Sequence, residues 1–598
     1  MGSGTKLGLA LSGGGFRAAF FHLGVLAALA RQGLLPKVEV ISTVSGGAIL
    51  GAYYALRLKR AMEQDGDDLT DTDFQALVGE IETEFLEAAQ RNLRFATFSN
   101  LWRNLEMRKT TYSRSDRLGQ LFDRYLFALA RDGKVGGPNT KVPLAELPSD
   151  GYTRRGVTAP RLVINATTLN TGHAWRFEQS TMGEWTPASD YEWDVDRSMA
   201  LALPTSLSDV IEEKASFSVG KAVAASAAVP GFFHPLAVTH LYEVQLQLVD
   251  GGVFDNQGVD ALVDAECTHF VVSDAGGQMG PSPRAPSWSV GVALRSAGIQ
   301  YGRIRQAELE RLFWAADRKR ARIAFVHARR GVRPDPLPWR GRNKKPVEIP
   351  EDQQPPSEAR PVHRDVQRLL ANVRTDLDSF NNVEARALML SGYRHLEHEL
   401  DEAAEVAALA AGGAAGGAKF RFEEMGPWLD TAPSGRFLRI LKASKSRFFK
   451  PLRLRPVRAI LWGALAYAPF VLVAGGIVLV IWDRVPRALR DLPIVGPFLR
   501  DLADLFQGRP LWLSILSFGA GLVLAYLPIR FLAASQRLPR SISSRFPKLF
   551  RTLNKTTALV RMLVAALTWL FAWFSIKLLD PVYLGAGEVE ELGPPPAP

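Results

Sequence analysis

Residues 7–17 read Leu7-Gly8-Leu9-Ala10-Leu11-Ser12-Gly13-Gly14-Gly15-Phe16-Arg17. The apolar run Leu7–Leu11 predicts a buried strand and the periodicity from Ala18 to Gln32 a helix, so three glycines sit at a strand-to-helix junction. Glycines there let backbone N–H groups converge on an anion at a helix N-terminus. Gly13, Gly15 and Ala18 loosely fit a dinucleotide fingerprint. However, no acid ends the next strand to hold a ribose, and no Lys-Ser/Thr pair follows to make a nucleotide loop. A tight turn with no ligand is the competing reading.

Working outward, Val38–Val44 predicts a second strand, followed by a helix from Gly46 to about Arg60. Between them lies Thr43-Val44-Ser45-Gly46-Gly47. A serine on a sharp turn between strand and helix stands above the sheet, where small neighbours relieve crowding. The usual pattern is Gly-x-Ser-x-Gly; Gly47 matches it and Thr43 departs from it. A serine nucleophile needs a base. Asp250-Gly251-Gly252 ends the strand Val244–Val249, where an α/β sheet carries its sites. Asp274-Ala275-Gly276-Gly277, after Phe270–Val272, is the rival acid, and His22 is the histidine to weigh for a conventional triad. With Leu162–Ala166 as a further strand, apolar runs alternating with helical patterns predict an α/β domain over the first 400 residues.

Together these elements resemble the patatin-like phospholipase family. The resemblance rests on Gly13-Gly14-Gly15-Phe16-Arg17 with His22-Leu23-Gly24-Val25-Leu26, on Ser45-Gly46-Gly47, and on Asp250-Gly251-Gly252-Val253-Phe254-Asp255-Asn256. Asn165-Ala166-Thr167, Asn170-Thr171-Gly172 and Ala225-Ser226-Ala227-Ala228-Val229-Pro230 support it. It covers roughly residues 5–400, with Thr43 and Ala18 as departures. It implies a three-layer α/β/α domain with a mostly parallel sheet and a Ser–Asp dyad without histidine. Ser45 would attack an acyl ester, Asp250 would take its proton, and the loop Gly13, Gly14, Gly15, Phe16 and Arg17 would form the oxyanion hole. Arg17 would either orient that loop or meet a phosphate. No cofactor and no metal are implied; His395 and His398, among Glu397 and Glu399, read as the solvated face of a charged helix. The helical stretch Asp71–Leu129 could cap a lipid channel with Phe85, Leu101, Trp102, Leu118, Leu121, Phe122 and Tyr125, or could be ordinary core.

The charge balance bears on partners. Lys442–Arg561 holds 20 Lys/Arg against 4 Asp, while the rest of the chain holds 52 basic against 57 acidic residues, so the formal +11 arises in one segment. That segment also holds the longest apolar runs: Ala459–Trp482, Pro510–Ile529 and the shorter Met562–Ile576, which Thr556–Leu579 extends. A membrane helix needs roughly 20 such residues. The alternating Lys/Arg bias of the flanks predicts N-terminus in, three spans, C-terminus out. The chain thus divides into a catalytic domain (1–400), an Ala/Gly-rich linker and connector (401–441), a membrane region of two to three transmembrane helices (442–579) and an acidic, Pro-rich tail (580–598). No signal peptide opens it. The expected localisation is a multi-pass protein, as in a bacterial inner membrane, with the catalytic domain at the cytoplasmic face.

A single cysteine, Cys267, excludes a disulfide scaffold and a Cys-based zinc site. Basic charge beside apolar spans argues for lipid headgroups and against nucleic acid. The expected partners are therefore membrane phospholipid or another acyl ester, and the lipid bilayer. A phospholipase A-type acyl hydrolase is the leading function. A lysophospholipase, thioesterase or triacylglycerol lipase would use the same residues, and a catalytically silent membrane scaffold is the reading that Thr43 keeps open.

Overall fold

The computed structural model describes residues 4–107, 112–185, 205–206, 217–239, 244–332 apart from 278, 281, 283, 319 and 320, 361–410, 419–457 apart from 449, and 565–594 apart from 567. Two compact units emerge, one of Met1–Leu454 with Tyr583–Pro598, the other of Arg455–Val582. The first carries a ten-stranded sheet. Its strands are β1 (Leu7–Leu11), β2 (Val38–Val44), β3 (Arg161–Thr168), β4 (Ala174–Phe177), β5 (Thr181–Trp185), β6 (Thr205–Ser206), β7 (Leu236–Val238), β8 (Leu246–Asp250), β9 (His269–Asp274) and β10 (Arg322–His327). The order runs β10-β9-β1-β2-β3-β4-β5-β6, with β8 beside β3 and β7 beside β8.

The expected parallel sheet holds across β10, β9, β1, β2 and β3. Beyond β3 every pairing is antiparallel. The seven main helices used below are α1 (Gly15–Arg31), α2 (Gly46–Glu63), α3 (Asp71–Ala89), α4 (Val219–Ser226), α5 (Val259–Asp264), α6 (Ser289–Asp317) and α7 (Asn382–Glu402). Alternation along β2 sends Ser42 toward Gly258, which opens α5, and Thr43 toward Gly51 of α2, so helices cover both faces. On the α5 face, Ala10, Val40, Val163 and Val272 close over Val259 and Leu262. Burial on both faces is why these strands read as continuous apolar runs.

One feature of topology brings the site together. Strand β2 pairs with the first part of β3, up to Val44 opposite Asn165. Strand β8 pairs with the last part of β3, up to Asp250 opposite Ala166. Because β4 occupies the other edge of β3 over these residues, β2 and β8 lie on the same edge. They run in opposite directions, so their C-terminal ends meet head to head and Ser45 emerges beside Asp250.

The membrane expectations require correction. Among the described residues no helix is long and apolar enough to cross a membrane, which overturns the multi-pass localisation with its cytoplasmic catalytic face and leaves the all-α transmembrane region without support. Ala459–Trp482 and Pro510–Ile529 lie outside the described residues. The third run closes in a π-helical turn, Ser575–Leu579, that carries Lys577. The three-span topology also fails on the tail. Three crossings would put the tail on the opposite side from the catalytic domain, yet Tyr583 is fully buried within that unit and Gly587 accepts the N–H of Val383 at 3.0 Å. Part of the basic charge ascribed to membrane flanks also belongs to this unit, since Lys450 is buried there against Asp378 at 2.8 Å.

Candidate active site

Ser45 occupies the turn between β2 and α2 with φ 49° and ψ −111°, a conformation that costs a non-glycine residue of order 1–3 kcal/mol. Two neighbours make the turn possible. A Cβ on Gly46 would fall 2.1 Å from the Gly15 carbonyl oxygen, and one on Gly47 2.2 Å from that of Leu11. Only glycine lets α2 leave so close to the preceding loop. A buried relay holds the strained residue. The Ser45 N–H donates to Ser226 Oγ at 2.8 Å, and that hydroxyl donates to the Asn165 carbonyl at 2.6 Å. The Asn165 side chain donates to Ser42 Oγ and to the Thr43 carbonyl. The stretches around Asn165 and Ser226 thus fasten the elbow to β3.

Thr43, the departure from the usual elbow, is fully buried and donates from Oγ1 to the Val163 carbonyl at 2.9 Å. Its methyl group points at α2, where Gly51 supplies the room that a glycine at position 43 would otherwise give.

Asp250 is buried at the end of β8. Its carboxylate accepts the Gly252 N–H at 2.7 Å, and its carbonyl accepts Thr167 Oγ1. Burial pushes the carboxyl up to about 7, against the lowering effects of the Gly252 N–H and of the Ser45 hydroxyl directed at it. Asp274, the rival acid, is occupied elsewhere. It meets Arg305 Nε at 2.7 Å and accepts from Gln257 Nε2 at 2.8 Å. Burial alone would raise its pKa, but the charges of Arg305 and His327 hold it below the ordinary carboxylate range. Asp255 accepts the N–H groups of Gln257, Gly258 and Asp260, and so shapes the start of α5.

His22 takes no part at Ser45. Its Nε2 donates to the Ser12 carbonyl at 3.0 Å, which leaves Nδ1 to accept from Ser273 Oγ at 2.7 Å. Burial lowers its pKa to about 4, so the ring is neutral. His395, expected on a solvated face, is instead buried and donates from Nδ1 to the Ser391 carbonyl at 2.6 Å.

The N–H groups of the glycine loop are not equivalent. The Gly13 N–H donates to the Asn256 carbonyl at 3.0 Å and that of Phe16 to the Asp376 carbonyl at 2.9 Å, so neither is available. Gly14 (φ 148°) and Gly15 (φ 59°) lie in the region that favours glycine, and among the described residues no acceptor meets their N–H groups. Arg17 is engaged with neighbouring segments: its buried guanidinium donates to the carbonyls of Ala275 (2.6 Å), Val373 (3.0 Å) and Ala371 (3.3 Å). Burial lowers its pKa to about 10.

Ser45, Asp250, Gly14 and Gly15 share a cavity of about 1190 Å³. Its walls are mostly apolar, including Phe95, Phe98, Val229, Phe233 and Leu309. Of Phe85, Leu101, Trp102, Leu118, Leu121, Phe122 and Tyr125, weighed as a channel cap or as core, none is among them. Phe85, Leu118, Leu121 and Phe122 are core, and Trp102 is 75% exposed. The stretch reaches the cavity instead through Arg94, Phe95, Phe98 and Arg114. Sequence reasoning also missed Tyr301, Arg305 and His327, which line the cavity from α6 and β10 with no motif to announce them.

A buried serine and a buried carboxyl thus stand at the head-to-head end of two strands, beside a glycine loop. Residues 9–263 match the family model described as Patatin, patatin-like phospholipase, a stretch that holds the glycine loop, Ser45 and Asp250. No curated protein matches the chain. Among solved structures it is distantly similar to human GIVD cytosolic phospholipase A2 in complex with methyl gamma-linolenyl fluorophosphonate and terbium chloride. There the identity is 14% and the TM-score 0.35, over 68% of this chain and 59% of that one. A second structure of the human enzyme with the same fluorophosphonate gives 15% and 0.33, over 68% and 60%. The chain thus spans about three-fifths of the length of these human structures. VipD from Legionella pneumophila matches at 13% identity and TM-score 0.26, over 99% of this chain and 92% of that one.

Proposed function

We propose that the protein is a serine lipid acyl hydrolase of phospholipase A type that works by a Ser45–Asp250 dyad. The observation that carries this reading is the Ser45 hydroxyl directed at a buried carboxyl whose pKa is about 7, while the nearby His22 is neutral and engaged elsewhere. A base that titrates near neutrality is suited to proton transfer at working pH. Ser45 Oγ attacks the acyl carbonyl carbon as Asp250 takes the hydroxyl proton. The negative charge that develops on the carbonyl oxygen is met by the N–H groups of Gly14 and Gly15, each such donor being worth about 3–4 kcal/mol. The ester C–O bond then breaks, and Asp250 returns the proton to the departing alcohol oxygen. Water next attacks the acyl-serine, with Asp250 again accepting a proton, and the fatty acid leaves as Ser45 recovers its hydrogen.

The apolar cavity supports a long acyl chain as the part recognised. The test is product analysis by mass spectrometry after incubating the full-length protein with mixed phospholipid vesicles. Free fatty acid and lysophospholipid that appear with the parent and not with Ser45→Ala support the reading. Equal release by Ser45→Ala overturns it.

A further inference from the structure

Helix α6 has two dissimilar long sides. One side walls the cavity with Leu294, Tyr301, Arg305 and Leu309. Another exposes Val292 and Ile299 (54%), and the exposed Trp288 (62%) stands just ahead of the first turn. Val292 and Ile299 stand seven residues apart, which places them on one stripe of a helix with 3.6 residues per turn. Arg295 and Arg303 follow Val292 by three and eleven residues and belong to the same stripe. No Asp or Glu occurs between Asp274 and Glu308, whereas Arg284, Arg295, Arg303 and Arg305 do. Arg303 approaches Glu310 only at 4.0 Å, with both side chains exposed, so its charge is little spent.

The same chemistry continues around the cavity. Phe232 and Phe448 line it and are each about half exposed. The Arg447 guanidinium lies 4.6 Å from the Phe232 ring centre, and that of Arg94 4.6 Å from that of Phe448. Arg94 also pairs with Asp376, but the large exposed aromatic and aliphatic side chains beside arginines complement a surface that is apolar a few ångströms down and negative at its top.

We propose that the outer stripe of α6 docks the protein on an anionic phospholipid surface, so that the cavity walled by the other side of the helix opens onto it. Trp288 and Ile299 enter the headgroup boundary while Arg295 and Arg303 meet lipid phosphates. This inference rests on the acyl hydrolase reading for its purpose, but binding is measurable without turnover.

The experiment is co-sedimentation of full-length Ser45→Ala protein with phosphatidylcholine vesicles, with and without phosphatidylglycerol. Two double variants are compared in that background, Trp288→Asp with Ile299→Asp and Arg295→Glu with Arg303→Glu. All of these residues lie outside the cavity lining, and an unchanged melting temperature shows that each variant is folded. The expected result is binding to the phosphatidylglycerol vesicles that weakens with salt and falls by about tenfold or more in each double variant. Failure to bind those vesicles, equal binding to pure phosphatidylcholine, or variants that bind like the parent would overturn the proposal. So would gel filtration showing a dimer that the Trp288/Ile299 variant disperses, since the stripe would then belong to a second copy. Loss of ester hydrolysis in Ser45→Ala speaks only to the dyad, so the two readings can fail separately.

Discussion

The methyl group of Thr43 lies 2.5 Å from the position that a Cβ on Gly51 would take, so the threonine at the elbow and the glycine one and a half turns into α2 fit as a pair. Gly51→Ala is therefore expected to destabilise the protein by about 1–3 kcal/mol through overpacking, although alanine favours a helix. Thr43→Ser removes the methyl but keeps the hydroxyl that bonds Val163, so Gly51→Ala should cost far less in that background. A double-mutant cycle on thermal stability measures the coupling.

Much of this arrangement was legible in the sequence, and the limits have physical reasons. The runs Leu7–Leu11 and Val38–Val44 were readable as strands because burial on both faces leaves no polar alternation. Ser45 and Asp250 stood out because each ends a strand beside glycines. The compensation of Thr43 by Gly51 was not readable, since it depends on which face of β2 meets α2. Which N–H groups of the glycine loop are engaged was not readable either, because Gly13 and Phe16 spend theirs on Asn256 and on Asp376, far along the chain. Tyr583 sits beyond the apolar runs, so its return to the catalytic unit left no local signal.

Ser226 holds the elbow without lining the reaction path. Ser226→Ala leaves the buried Ser45 N–H without its acceptor, which costs about 1–3 kcal/mol. Because the strained turn then relaxes, kcat on a soluble ester should fall while KM stays near the parent value.

The pKa of Asp250 predicts two pH effects of opposite sense. Activity should rise with pH through about 7 as the carboxyl becomes a free base. Stability should move the other way. The folded carboxyl titrates near 7 and the unfolded one near 3.8, so the folded state holds this proton more tightly. Its contribution to stability is complete below the unfolded value and is lost as pH rises through about 7. Asp250→Asn, which has no such proton, should therefore gain on the parent between pH 5 and pH 8 by up to a few kcal/mol, measured by thermal or denaturant unfolding at each pH.

The tail closes a buried ionic cluster. The Tyr583 hydroxyl donates to Glu384 at 2.9 Å, Glu384 pairs with Arg374 at 2.8 Å, and Arg374 pairs with Asp378 at 2.7 Å. Between Arg374 and Asp378 lies Asp376, whose carbonyl accepts the Phe16 N–H of the glycine loop. Tyr583→Phe should cost about 1.5–3 kcal/mol, as expected for a lost bond to a buried charge. A chain ending at residue 582 should melt lower still, because the cluster is then opened.

The most direct measurement is labelling of the full-length protein with a fluorophosphonate probe, which reacts with an activated serine, in the parent, Ser45→Ala and Asp250→Asn. The Ser45–Asp250 account predicts stoichiometric labelling of the parent, none in Ser45→Ala, and labelling slowed by at least about a hundredfold in Asp250→Asn. A parent that does not label, or a Ser45→Ala protein that labels as fast as the parent, would contradict it.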